Sequence, residues 1–169
     1  MQKAEPPQGK WRKMVFFLTA LLVVAADQLS KIWIRSNLAT GESLPETGLF
    51  RLTHIHNTGA AFGLFQDQSF LLTIVAIVGI VVVLLLALFF SRRFPFLDNR
   101  LGKLALGLVL GGTAGNLIDR LRLGYVTDFI DIGIWPAFNL ADSAIVVGVI
   151  LFAYLLLSLA TAKKTDLSA

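Results

Sequence analysis

The chain has 169 residues, 56% of them hydrophobic and 15% charged, with a formal charge of +4 and no cysteine. A soluble domain is about 45–50% apolar, so this excess calls for a solvent other than water, and the length suits one domain. The missing cysteines exclude disulfides, thiolate metal sites and cysteine nucleophiles, and the chain cannot itself be a diacylated lipoprotein.

In chain order, residues 1–12 read as a disordered cytoplasmic arm, and residues 13–161 as one four-helix membrane domain. A first spanning segment covers about 14–34, with Asp27 and Lys31 interrupting its end. A cleaved signal peptide ending Val24-Ala25-Ala26 is the competing reading, but the apolar run continues through Leu29, Ile32, Trp33 and Ile34. The outer loop 35–69 follows. Its stretch Leu49-Phe50-Arg51-Leu52-Thr53-His54-Ile55-His56 is rich in strand formers, and Asn57-Thr58-Gly59 supplies a turn. We expect a small sheet on the membrane surface, with Phe62 and Phe65 beyond it as a lid or interfacial anchor.

The second span, about 70–90, carries no charge. The third, about 101–118, places Gly107, Gly111 and Gly115 on one face, where a neighbouring helix can approach closely. The loop 119–139 leads to a fourth span of about 140–160, and 162–169 forms a tail. Each span is near the ~20 residues that a bilayer core requires, and only helices could cross here with their backbone groups paired. The expected class is therefore an all-α membrane protein of four spanning helices with a small outer β-cradle.

Ten basic residues (Lys3, Lys10, Arg12, Lys13, Arg92, Arg93, Arg100, Lys103, Lys163 and Lys164) flank one side. The other side holds Arg35, Arg51, Arg120 and Arg122, with Lys31 at its boundary. The positive-inside rule places both termini in the cytoplasm and the two long loops outside. These charges flank apolar segments and form no stripe that could follow phosphates, so nucleic acid is excluded as a partner and membrane lipid is expected instead.

An aspartate at the centre of a spanning helix costs roughly 2.5–3.5 kcal/mol on insertion scales, and less near the ends. Asp27, Asn116, Asp119, Asp128, Asn139 and Asp142 all sit at the outer boundary and could converge on one shallow pocket. Asp27 and Lys31 share a helical face at i and i+4, which suits an ion pair. Asp119 and Arg120 suit anchoring or pairing. Asp128 and Asp142 are different. Two carboxylates facing each other in a partly dry site share one proton, can activate water, and can then protonate a leaving amine. Spacing alone does not select this pair.

Other chemistries lack their signatures. His54 and His56 would share one strand face as metal ligands, yet no His-Glu-x-x-His and no third ligand are evident, so they read as surface histidines. Ser143 lacks a nucleophile-elbow setting. A small proton- or cation-coupled transporter using Asp27, Asp128 and Asp142 is the alternative, although no repeat is visible. A third reading is a scaffold whose polar groups only pair helices.

Five blocks occur in order: Asp27-Gln28-Leu29-Ser30-Lys31, Asn57-Thr58-Gly59-Ala60-Ala61-Phe62, Gly115-Asn116-Leu117-Ile118-Asp119-Arg120, Val126-Thr127-Asp128-Phe129 and Phe138-Asn139-Leu140-Ala141-Asp142-Ser143. Over about residues 13–160 this series resembles the bacterial lipoprotein signal peptidases, the type II signal peptidases. The resemblance implies an aspartic endopeptidase of the inner membrane that cuts prolipoproteins before a diacylglyceryl-modified cysteine, without cofactor or metal, and that globomycin-type inhibitors block. It implies Asp128 and Asp142 as the catalytic pair. Asn57, Asn116, Arg120 and Asn139 would line the site and orient substrate and carboxylates, and Asp27, Lys31 and Asp119 would give structural support. The segment between Asp128 and Asp142, through Ile132-Gly133-Ile134-Trp135-Pro136, is shorter than the resemblance leads one to expect.

Overall fold

Four helices and a three-stranded sheet make up the computed structural model, which describes residues 7–59, 65–90 and 93–168. The elements in order are α1 (Pro7–Asn37), β1 (Ser43–Leu44), β2 (Arg51–Asn57), α2 (Ser69–Leu85), α3 (Arg100–Leu123), β3 (Val126–Asp131) and α4 (Leu140–Ser168). Four segments, Gly9–Asn37, Ser69–Phe90, Arg100–Leu123 and Leu140–Thr161, are long and apolar enough to cross a membrane, the second running past α2 to Phe90. Large apolar side chains such as Leu21, Val75 and Ile150 face outward, as a lipid solvent allows.

One expectation changes. Helix α1 begins at Pro7, so residues 7–12 are helical where a disordered arm was expected. Proline suits that first position, because an N–H there would have no partner within the helix. Phe62 lies outside the described residues, and Phe65 is exposed at a positive φ of 55°.

Helix α3 is central and packs on α1, α2 and α4. Glycines make this possible. A Cβ at Gly107 or Gly111 would meet the backbone oxygens of Phe16 or Ala20 on α1, and one at Gly112 would lie 2.3 Å from the carbonyl oxygen of Ala141 on α4. Phe16, Ala20, Val83, Leu106 and Leu110 fill the core between α1, α2 and α3. The helix starts on Asn99, whose side chain accepts from the Gly102 N–H at 2.8 Å, and ends on Gly124 in the left-handed region.

At the far end of α2 the chain widens into a π turn, Leu86–Phe90. The Ala87 carbonyl in that turn accepts from Lys103 Nζ at 2.5 Å, and Lys103 is buried rather than facing solvent. Asp98 lies 3.8 Å from the same ammonium and 3.2 Å from Arg12.

At the opposite end the strands run antiparallel in the order β1-β2-β3. Ile34, Leu38 and Phe129 pack together beneath the sheet. Leu52 pairs with Ile130 while Ile55 pairs with Asp128, so β2 carries one extra residue there. This bulge breaks the two-residue alternation and buries both Thr53 and His54. His54 is therefore not the surface histidine its sequence context suggests.

The glycine contacts give a test. Gly112→Ala should destabilise the protein by about 1–3 kcal/mol through overpacking. Gly79→Ala on α2, with nothing within 4 Å of the added Cβ, should not. Thermal unfolding in one detergent compares them, and equal melting temperatures would contradict close α3–α4 packing.

Candidate active site

Asp128 sits in the middle of β3, and Asp142 is the third residue of α4. Strand and helix thus deliver one carboxylate each to the same end of the bundle. Asn139 caps α4 and joins them. Its Oδ1 accepts from the Asp142 N–H at 3.0 Å, and its own N–H donates to Asp142 Oδ2 at 3.1 Å, a reciprocal capping box. Its Nδ2 donates to Asp128 Oδ1 at 2.7 Å. Asn57 donates to Asp128 Oδ2 at 2.8 Å, and Asn116 donates to Asp142 Oδ1 at 2.7 Å. Each of the four carboxylate oxygens therefore has one donor and keeps a lone pair.

The amide orientations are fixed from behind. Asn57 Oδ1 accepts from the Gly59 N–H at 2.9 Å, so its NH2 group points at Asp128. Asn116 Oδ1 accepts from both Lys31 Nζ (2.8 Å) and Asn139 Nδ2 (3.1 Å), which turns its NH2 group to Asp142. Asn139 is fully buried, so it orients the carboxylates and does not line the cavity. Asn57, Asn116 and Arg120 do line it.

Beneath this layer lies an ionic one. Lys31 Nζ is 2.9 Å from Asp27 and 3.1 Å from Asp119, with all three side chains buried. Arg35 stands 3.7 Å from Asp119 and makes the four charges balance. Asp119 Oδ2 accepts from the N–H of Thr127, the residue before Asp128, at 3.1 Å. Asp27 Oδ1 accepts from the N–H of Ala141, the residue before Asp142, also at 3.1 Å. The added Cβ of any side chain at Gly115 would fall 2.6 Å from Asp27 Oδ2, so that glycine gives Asp27 its room.

Three contributors carried no role in the sequence reading. Gln28 Nε2 reaches Asp27, Asp119 and the Gly115 carbonyl, while Arg35 donates to Thr127 Oγ1 at 2.9 Å. One more four-residue step from Asp27 and Lys31 would have put Arg35 on their face.

The two aspartates open on a cavity of about 620 Å³ whose wall is mostly apolar, with Val126, Ile132, Trp135, Ile145 and Val146 among its lining. Ile132, Trp135 and Pro136, between the two aspartates, supply part of the rim. The chain there turns tightly at Gly133 (φ 74°), whose N–H donates to Asp131 Oδ1 at 2.7 Å. Arg120 Nη2 reaches the Gly59 carbonyl at 3.3 Å, and its Nε has no partner among the described residues. Burial, and then the neighbouring Asp142 carboxylate, push Asp128 up to about 7, against hydrogen bonds from Asn57 and Asn139 and the charge of Lys31. A neutral acid beside a carboxylate at an apolar, accessible wall can activate a water and donate a proton. Among the described residues no group of three or more His, Asp or Glu side chains is placed to hold a metal.

Comparison with known proteins gives a consistent result. The family described as signal peptidase (SPase) II matches residues 19–158. The lipoprotein signal peptidase of Dehalococcoides mccartyi (strain ATCC BAA-2100 / JCM 16839 / KCTC 5957 / BAV1) is 52% identical over 139 residues, 82% of this chain and 86% of that one. That of Moorella thermoacetica (strain ATCC 39073 / JCM 9320) is 51% identical over 145 residues, covering 85% and 93%. A solved bacterial membrane enzyme superposes with a TM-score of 0.78 at 31% identity, covering 88% of this chain and 90% of its own.

The buried ionic layer predicts a cost. Lys31→Met leaves Asp27 and Asp119 without their shared cation and should destabilise the protein by about 3–5 kcal/mol. Denaturation of the detergent-solubilised protein measures this, and a loss below about 1 kcal/mol, the level of an exposed pair, would contradict the arrangement.

Proposed function

The chain belongs to the signal peptidase II family, and we propose that it acts as a membrane aspartic endopeptidase on prolipoproteins. It cuts on the N-terminal side of a diacylglyceryl-modified cysteine. The observation that carries this reading is the pair Asp128 and Asp142, bridged by buried Asn139 and opening on one cavity.

Asp142 accepts the proton of a water as the water oxygen attacks the scissile carbonyl carbon. Protonated Asp128 hydrogen-bonds to the carbonyl oxygen, where negative charge develops. The tetrahedral intermediate then collapses. The C–N bond breaks, a proton passes from the dyad to the leaving amine, and the signal peptide departs with a carboxyl group. Asn57 and Asn116 hold the carboxylates, while Arg120 at the cavity wall supports the peptide backbone. No cofactor enters this sequence.

The excess of Lys and Arg on one side supports a bacterial inner-membrane location with both termini cytoplasmic and the aspartates toward the outer face. A substrate with two acyl chains stays in the outer leaflet, so it reaches a site at that depth by lateral diffusion. The apolar wall of the cavity suits its signal helix and acyl chains, together with surrounding lipid, and globomycin-type inhibitors would occupy the same space.

With purified protein and a diacylglyceryl prolipoprotein, wild type should cleave. Asp128→Asn and Asp142→Asn should each lose roughly 10²–10⁴-fold in rate while melting at or near the wild-type temperature. Continued cleavage by both variants would contradict the dyad. Loss of folding with no separate loss of turnover would favour a scaffold.

A further inference from the structure

Outside the dyad, two imidazoles meet on the sheet. The bulge in β2 brings His54 and His56 together, with Nε2 to Nε2 at 3.2 Å and their rings crossed edge to face. Thr40, in the segment between α1 and β1, sets its Oγ1 3.3 Å from His56 Nε2. His54 is buried, and its Nδ1 lies 2.9 Å from the Leu38 carbonyl. A carbonyl oxygen only accepts, so Nδ1 carries a proton, and in that tautomer the Nε2 lone pair faces His56. His56 is exposed and stacks on Tyr125 at 3.8 Å, which holds its ring plane.

We propose that His54, His56 and Thr40 form a binding site for one transition-metal ion of the zinc(II), copper(II) or nickel(II) class. Two imidazole nitrogens on one tetrahedral zinc lie roughly 3.3 Å apart, close to the separation already present. Imidazole is the ligand these ions prefer. The bond from His54 to a backbone carbonyl is the outer-layer contact that metal-bound histidines make to fix their tautomer. On binding, the proton that His56 Nε2 shares with His54 moves to His56 Nδ1, and both Nε2 lone pairs turn to the metal. Thr40 supplies a weak third ligand and water completes the shell, so the ion exchanges readily. Arg35, whose charge acts on His56, is already engaged by Asp119 and Thr127. Bound metal would tie the α1–β1 segment to β2 one residue before Asn57. The site is separate from the dyad, and its test needs no turnover.

Untagged protein in detergent, titrated with Zn2+ and with Cu2+, tests this. Wild type should bind one equivalent, melt at a higher temperature with Zn2+, and show two nitrogen ligands in the Cu2+ paramagnetic resonance spectrum. His56→Ala should weaken binding at least about tenfold and remove the melting shift. Because His56 is exposed, this variant should fold, and its metal-free melting temperature verifies that. No binding by wild type through the millimolar range would overturn the proposal. So would undiminished binding by His56→Ala, or binding lost only in Asp142→Asn, which would put the ion at the carboxylates.

Discussion

Lys31 Nζ has three protons and three acceptors: Asp27, Asp119 and the Asn116 side chain. None of these groups is accessible to solvent to any useful extent, so each depends on the others for its charge or its hydrogen bond. The two acids reach outward from this ammonium and grip the backbone at Thr127 and Ala141, one residue before each member of the dyad. The strand and the helix that carry the two aspartates are thus both referred to a single charge. The third acceptor, Asn116, carries the same constraint to the Asp142 carboxylate.

Helix packing serves that constraint. The interface of α3 with α1 and α4 is so close that glycine is required at positions 107, 111, 112 and 115. At Gly115 the missing side chain is space for the Asp27 carboxylate itself, so a residue suited to close packing also shapes the ionic layer. The interior is made polar on one side and tightly apolar on the other, and the sheet packs on the end of α1 through Phe129, against Ile34 and Leu38.

Much of this was legible in the sequence where the signal is local. Four apolar runs, an i to i+4 pair at Asp27 and Lys31, and five ordered motifs suffice for the helices and for the aspartates. The pairing of β3 was not legible. Val126–Asp131 has only six residues and is buried along nearly its whole length, so it lacks the alternation that marks a half-exposed strand. Asn139-Leu140-Ala141-Asp142 could have been read as a capping box, but its reach to Asp128 depends on a strand eleven residues away. His54 was misjudged because a bulge, invisible without its partner strand, turns it inward. Gln28 and Thr127 act through contacts about ninety residues apart in the chain, which no local pattern encodes.

The central claim is that one proton shared by the dyad, resident on Asp128, sets turnover. The most direct measurement is kcat/KM for prolipoprotein cleavage against pH, for wild type and Asn57→Ala. The wild-type rate should fall as pH rises through about 7, where Asp128 loses its proton. Asn57 donates to that carboxylate and favours its charged form, so the fall in Asn57→Ala should move to higher pH. A wild-type rate that stays level well above that point, or a fall that moves to lower pH in the variant, would contradict the account.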